Sequence, residues 1–235
     1  MFIYYIYKFE EVEMKKFLLA LSVCLLFASL ASAEVMMSAC PLGKGKWGFM
    51  PGAMVDFNYA NMGGNSYMMM DSLGYGLKDN LDLYVSAGAG YSARTGMMGT
   101  MSMNSYALNL KYTVLGENLT QPVSLAVNAG IRNMAMSMAS MNQMQGSIGL
   151  VVSKMLNAFN PYAGITYRST AQGYGNYSQV DYTVGAGIGP MDKMLTIEYT
   201  LQNMSVDGGS NFGMLVGGTT YASSQITIGA CLGLN

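Results

Sequence analysis

Residues Gly74–Ser92 read GYGLKDNLDLYVSAGAGYS, and this stretch decides the fold class. From Leu81 onward, apolar or aromatic residues alternate with residues that are mostly small or polar. The first set is Leu81, Leu83, Val85, Ala87, Ala89 and Tyr91. A period of two places successive side chains on opposite faces of a β-strand. Because Lys78-Asp79-Asn80 supplies turn residues before this strand, the stretch predicts a hairpin of two antiparallel strands.

The same alternation recurs along the chain and predicts ten antiparallel strands in an all-β, up-and-down arrangement. The predicted strands are 46–59, 66–77, 81–93, 103–115, 122–134, 144–155, 161–170, 178–189, 193–203 and 223–234. Eight or twelve strands are alternatives, and Asn211–Thr220 could be an extra hairpin strand, which would change the count. Asp71 interrupts the alternation of the second strand and predicts a β-bulge there.

Composition indicates which strand face meets which medium. The chain is 51% hydrophobic and only 11% charged, whereas globular domains average roughly 25% charged residues. A soluble secreted all-β protein, which is one alternative, would carry Lys and Glu on its polar face. Here that face is mostly Gly, Ser, Thr, Ala and Asn. The apolar face is therefore expected to meet lipid, with Leu81, Leu83 and Val85 outside and Asp82, Ser86 and Gly88 inside.

A closed barrel explains the remaining features of the pattern. It pairs every backbone polar group, as the hydrocarbon core of a membrane requires. The predicted strands reach the ~9–11 residues that cross a bilayer. Short connections alternate with longer ones, as periplasmic turns alternate with external loops. Tyrosines near the strand ends predict an interfacial girdle, comprising Tyr59, Tyr75, Tyr91, Tyr106, Tyr112, Tyr167, Tyr182 and Tyr199.

The unit GYGLKDNLDLYVSAGAGY resembles the strand–turn–strand repeat of small outer-membrane β-barrel proteins, the opacity-protein and porin-like group. The resemblance covers Trp47–Asn235 as a pattern. It implies an integral protein of the Gram-negative outer membrane, inserted by the barrel-assembly machinery. In that group the final residue is usually Phe or Tyr. Here the chain ends Leu232-Gly233-Leu234-Asn235, which keeps the alternation without the aromatic residue.

The N-terminal residues predict export. Residues 14–33 have a basic start, an apolar core too short to span a membrane, and the motif Ala31-Ser32-Ala33, so we expect a signal peptide cleaved before Glu34. A lipoprotein signal using Cys24 or Cys40 is the less favoured alternative. Residues 1–13 are expected to be a mis-assigned start, because codons for 10–14 can contain a ribosome-binding site before an ATG. Residues 34–45 are then a periplasmic N-terminal segment, and 46–235 form the barrel.

Seven charged residues are expected to point into the lumen. They are Asp56, Asp82, Lys111, Arg132, Arg168, Asp181 and Glu198. The acidic and basic members fall on different strands, so they predict an acidic arc facing a basic arc. A barrel of about ten strands is only slightly wider than the eight-stranded size that side chains fill. We therefore expect inward ion pairs to plug the lumen, with inward glycines leaving room for the long side chains. A narrow porin-like channel for small solutes is the alternative.

No enzyme is predicted, because the chain has no His, on which outer-membrane lipases, acyltransferases and omptin-type proteases depend. The chain is rich in methionine, with 24 residues that cluster at the predicted external ends. Thioethers suit Cu(I), so a copper-binding surface is a second alternative. Methionine as a flexible apolar residue is the simpler interpretation. No catalytic, cofactor-binding or metal-binding residue is assigned, and no cofactor is expected.

Cys40 and Cys231 precede the first strand and end the last, which are neighbours in a closed barrel, so a disulfide between them is geometrically feasible. It would require Cys40 to enter the mouth of the lumen. With a net charge of −1, nothing points to nucleic acid. The sequence thus predicts a monomeric cell-envelope barrel that contacts outer-membrane lipid. Its expected role is structural, or surface-interacting through an extracellular partner at the long loops.

Overall fold

The computed structural model describes residues 38–57, 64–93, 100–118, 122–137, 141–172, 175–190, 192–206 and 220–234, which form a closed antiparallel barrel. Its strands are β1 (Trp47–Phe57), β2 (Asn65–Lys78), β3 (Leu81–Ala93), β4 (Thr100–Leu115), β5 (Ser124–Met136), β6 (Met141–Ser153), β7 (Phe159–Gln172), β8 (Gly175–Ile188), β9 (Lys193–Val206) and β10 (Thr220–Leu234). Each strand pairs with the next, and β1 pairs with β10. This confirms the all-β, up-and-down barrel of ten strands. Across the ranges given above, the structure has no helix long and apolar enough to cross a membrane.

The two ends of the barrel differ. The end where β1 begins carries the turn Asp79–Asn80 and the C-terminal ends of β4, β6 and β8, and we call it the turn end. The opposite end is where β1, β3, β5, β7 and β9 end, and we call it the loop end. Strands run further into the loop end than predicted, so that β7 ends at Gln172 and β8 already begins at Gly175. The candidate hairpin strand over 211–220 lies outside the described residues, except that Thr220 begins β10.

The β-bulge predicted at Asp71 is wrong. Asp71 pairs in regular register with Pro51 of β1 and Ala87 of β3. The register shifts instead between Gly76 and Lys78, beside the β2–β3 turn. Asp71 breaks the sequence pattern because it is a polar residue on the outward face, not because the backbone changes its period.

Burial alternates along each strand and separates a lumen face from an outer face. In β3, Asp82, Tyr84 and Ser86 are buried, whereas Val85 is 54% exposed and Tyr91 49% exposed. This confirms the inside and outside faces predicted from Gly74–Ser92. The buried side chains of the barrel are thus predominantly polar, and most of its large apolar side chains other than methionine are exposed.

Candidate functional site: the barrel lumen

The seven charged residues that were predicted to face the lumen are buried or nearly buried in the structure. Six of them have exposures between 0% for Asp82 and 7% for Arg132, and the side chain of Arg168 is 13% exposed. Water-lined side chains of an open channel would be far more exposed. Since buried charges are costly without partners, the contacts of these residues define what the lumen holds.

Asp82 is the centre of a network at the turn end. Its Oδ2 lies 3.3 Å from Lys111 Nζ on the neighbouring strand β4 and accepts a hydrogen bond from Tyr84 Oη at 3.1 Å. The same carboxylate accepts the backbone N–H of Leu42, at 3.2 and 3.1 Å from its two oxygens. Lys111 Nζ also lies 5.3 Å from the centroid of the Tyr84 ring. Asp82 therefore joins β3, β4 and the segment that precedes β1.

That preceding segment, residues 38–45, occupies the mouth of the lumen at the turn end. Lys111 Nζ donates to the carbonyls of Ser38 at 3.2 Å and Cys40 at 2.7 Å. The Ala39 N–H donates to Ser153 Oγ at 3.0 Å, and the Ala39 carbonyl accepts from Thr113 Oγ1 at 3.0 Å. Ala39 is 0% exposed and packs with the inward Ala126, Val151 and Tyr162. Residues 38–45, which belong to the predicted periplasmic N-terminal segment 34–45, thus fill part of the lumen.

The predicted ion pairs form sideways, between neighbouring strands. Arg168 Nε of β7 lies 2.9 Å from Asp181 Oδ2 of β8, and Asp82–Lys111 joins β3 to β4 in direct register. Asp181 Oδ1 also accepts from Gln179 Nε2 at 2.6 Å. The interpretation in which long cations reach across the lumen to an acidic arc is therefore corrected for these two pairs. For both cations, the carboxylate on an adjacent strand is closer than any carboxylate on the opposite wall would be.

Polar side chains continue this lateral pairing around the wall. Thr183 and Thr200 hydroxyls lie 2.8 Å apart, and Gln202 Nε2 donates to Gln225 Oε1 at 2.7 Å. Glu198 Oε2 accepts from Tyr162 Oη at 2.8 Å. Hydrogen bonds between strands thereby satisfy much of the buried polar wall.

Two of the inward glycines, Gly74 and Gly185, make room for aromatic rings rather than for lysine or arginine chains. A Cβ at Gly74 would lie 2.5 Å from the Tyr84 ring, and one at Gly185 would lie 2.5 Å from Cζ of Tyr162. Both tyrosines belong to the polar face in the sequence pattern and lie across the interior against a neighbouring glycine. Each ring fills space, and its hydroxyl donates a hydrogen bond to a buried carboxylate. Tyr84 donates to Asp82, and Tyr162 donates to Glu198.

Replacing Gly185 with alanine is expected to lower the free energy of unfolding by about 1–3 kcal/mol, the usual cost of overpacking. The new methyl group would displace the Tyr162 ring and lengthen its hydrogen bond to Glu198. Urea titration of the refolded barrel in lipid vesicles measures the change. Gly146, where a Cβ meets nothing within 4 Å, is the matched control and should change little on substitution by alanine. Equal effects at the two sites would contradict this packing.

The lumen near the loop end is lined by methionines as well as by polar and charged side chains. A cavity of about 40 Å³ lies there. Its lining includes Asp56, Arg132, Arg168, several glutamines and the side chains of Met54, Met68, Met103 and Met134. Arg132 Nε donates to Ser105 Oγ at 2.8 Å, and its Nη2 lies 3.8 Å from the Met68 sulfur. The inward methionines are thus buried in the barrel rather than displayed on an external surface. Met97, Met98 and Met138 lie outside the described residues.

Cys40 and Cys231 are both free thiols, each of intermediate exposure. Cys40 does enter the lumen mouth, where its sulfur lies 3.9 Å from Ser153 Oγ. A disulfide between the two stays a prediction. Within the described ranges, no group of three or more His, Cys, Asp and Glu side chains could hold a metal ion.

The outer face is a continuous apolar surface to which every strand contributes large exposed side chains. Its central members include Leu108, Ile131, Ile148, Ile165, Val184, Ile197 and Ile228. Aromatic pairs lie toward both ends, with Trp47 and Tyr75 4.5 Å apart at the turn end and Tyr67 and Tyr91 5.2 Å apart nearer the loop end. Tyr59 of the predicted girdle lies outside the described residues. Exposed apolar surface contributed by every strand is unusual for a soluble monomer and is typical of an interaction with lipid or with another protein.

The chain is similar to several solved barrel structures. The outer membrane protease OmpT from Escherichia coli is 13% identical, with a TM-score of 0.41, over 79% of this chain and 93% of that one. The β domain of the Bordetella autotransporter BrkA is 10% identical, with a TM-score of 0.45, over 82% and 100%. An anion-selective porin from Comamonas acidovorans is 11% identical, with a TM-score of 0.31, over 74% and 56%. The sequence matches no protein-family model. No curated protein matches it either.

Proposed function

We propose that this chain is an integral outer-membrane barrel whose lumen is closed, and that it acts as a structural or surface-interacting protein rather than as an enzyme. The observation that carries the closed lumen is the burial of its inward charges, from 0% exposure for Asp82 to 13% for the side chain of Arg168. The apolar outer face, with aromatic residues toward its ends, supports a location in lipid.

The closure has two components. The lateral ion pairs and hydrogen bonds fill the wall, and residues 38–45 cover the turn-end mouth. These groups bind one another, so little of the buried polar chemistry is left to act on a substrate. The role is therefore assigned to the outside of the barrel. The protein would be inserted as a monomer by the barrel-assembly machinery, would contact lipid, and would meet any extracellular partner through the loop end.

Single-channel conductance in planar bilayers tests the closed lumen. The mature chain from Glu34 to Asn235 is expected to give no current steps, provided that heat-modifiable gel mobility shows that it is folded. A variant lacking residues 34–45 and carrying Tyr84→Ala and Tyr162→Ala serves as the positive control, because it removes the segment and both rings. Steady steps from the unmodified protein would overturn the closed lumen and favour the narrow porin-like channel.

A further inference from the structure

Asp71 places a carboxylate at the middle of the apolar outer face. It lies on β2 midway between Tyr67 and Tyr75, which belong to the aromatic pairs toward the loop end and the turn end. At ~3.3 Å per residue, Asp71 is roughly 20 Å along the strand from either end of β2. Its side chain is partly exposed and lies between Pro51 of β1 and Ala87 of β3. The proposed location in lipid therefore puts this carboxylate near the middle of the bilayer.

The carboxylate of Asp71 has no partner within the part of the chain that the structure describes. No hydrogen bond or ion pair reaches it there. Its neighbours in register, Pro51 and Ala87, have no donor group in their side chains. An ionisable side chain in a membrane is costly and usually pairs with another group. Because these neighbours are small, a partner could approach the carboxylate from outside the barrel.

Pro51 leaves a second acceptor next to Asp71. β1 pairs with β10 on both sides of Pro51, and the same register places Ala230 opposite it. The Pro51 carbonyl points toward β10, since a Cβ at Gly229 would lie 3.0 Å from its oxygen. In an antiparallel ladder the N–H and C=O of one residue face the same strand, but proline has no N–H. The Ala230 carbonyl therefore lacks its ladder donor, at most about 10 Å from Asp71 across two strand spacings.

These two acceptors limit the chemistry of a partner. A carboxylate and a carbonyl both require hydrogen-bond donors, and the carboxylate also favours a positive charge. An arginine guanidinium offers five N–H donors in a planar fork and is always charged. Lipid headgroups stay at the interface, far from Asp71. A second copy would bring a like charge, since on the described strands no lysine or arginine faces outward between the two ends.

We propose that the outer face around Asp71 docks a different membrane-embedded protein, which presents an arginine at mid-depth. The guanidinium binds the Asp71 carboxylate and the Ala230 carbonyl. This docking surface lies in the lipid-facing wall, so it is separate from the extracellular contacts proposed for the loop end.

A synthetic transmembrane helix of about 20 leucines and alanines, with one central arginine and a terminal dansyl group, tests the proposal in vesicles. Trp47, the only tryptophan of the chain, begins β1 about 13 Å along the strand from Pro51 and serves as the energy donor. We expect saturable quenching of Trp47 by this peptide. The same peptide with a central leucine should give only the weak quenching of random encounter.

Variants of the barrel identify the acceptors. Asp71→Asn should weaken binding of the arginine peptide about 10- to 100-fold, the usual range for a hydrogen bond to a charged group. Pro51→Val restores an N–H for Ala230 and should weaken binding about 2- to 10-fold, as for one neutral hydrogen bond. Asp79→Asn is the matched control, because it removes a carboxylate from the exposed β2–β3 turn and should bind like the parent.

The stability of the barrel alone gives an independent measurement. Asp71→Leu should raise the urea midpoint in vesicles, because it removes an unpaired carboxylate from the lipid face, while it abolishes peptide binding. A lower midpoint would mean that the barrel itself uses the carboxylate, and would overturn the proposal. Equal binding of the arginine and leucine peptides, or parent-like binding by Asp71→Asn or Pro51→Val, would also overturn it. The inference rests on the proposed location in lipid, so heat-modifiable mobility is recorded for every sample. A folded, inserted barrel that does not distinguish the peptides contradicts this inference alone.

Discussion

Replacing Asp82 with alanine is expected to lower the free energy of unfolding by about 3–5 kcal/mol, the cost of leaving one member of a buried ion pair without its partner. Lys111 would keep the carbonyls of Ser38 and Cys40 but lose the carboxylate 3.3 Å away. The Leu42 N–H and the Tyr84 hydroxyl would lose their acceptor as well. Denaturant titration in vesicles measures the change, and trypsin cleavage after Lys44 or Lys46 should accelerate as the segment loosens.

Asp79→Ala is the matched control for this prediction. Asp79 also accepts a backbone N–H from the same segment, that of Lys44, but at 3.4 Å and in an exposed turn. Its loss should change stability by no more than about 0.5 kcal/mol, as for most surface substitutions. If Asp82→Ala and Asp79→Ala behaved alike, the Asp82 network would not hold the turn end together.

Replacing Ile148 with arginine is expected to cost about 2–4 kcal/mol, as for a cation at the bilayer midplane on the lipid face of a barrel. Ile148 lies midway along β6, is 57% exposed, and pairs with Ala129 and Tyr167, so an arginine there has no carboxylate opposite it on either neighbouring strand. The same titration in vesicles measures the loss.

Leu156→Arg is the control that distinguishes burial in the bilayer from exposure to water. Leu156 is 47% exposed but lies in the connection between β6 and β7 at the turn end. Near an interface the cost falls to about 0–1 kcal/mol. A soluble barrel would tolerate both substitutions equally, so equal small costs would contradict a location in lipid.

The strands and their two faces could be predicted because both depend on local periodicity, whereas closure was inferred from the need to pair every backbone group in lipid. Alternation from Leu81 to Tyr91 is a property of consecutive residues, and it determines which side of β3 is buried. The inward positions of Asp82 and Lys111 follow for the same reason. Their pairing depends on the register between β3 and β4, which the spacing around a turn limits but does not determine.

Two parts of the candidate site depend on distant contacts and were missed. Residues 38–45 have no periodicity, yet they enter the lumen, where Ala39 packs against the inward Val151 and Ala126. An apolar inward side chain in a polar strand face was the available signal. The methionines were predicted only to cluster at the external ends of the strands, whereas the structure buries Met68 in the lumen and exposes Met69 on the outer face.

The sideways pairing of the lumen charges has a consequence for the order of folding. Asp82–Lys111 and Arg168–Asp181 each join consecutive strands, so both can form as soon as a single hairpin exists. Contacts that are close in sequence require little loop-closure entropy. By contrast, β1 meets β10 only after the whole chain has been gathered, and the bond from Ala39 to Ser153 spans 114 residues. The ion pairs of the lumen wall can therefore form as each hairpin forms. The contacts that close the mouth of the lumen require a nearly complete chain.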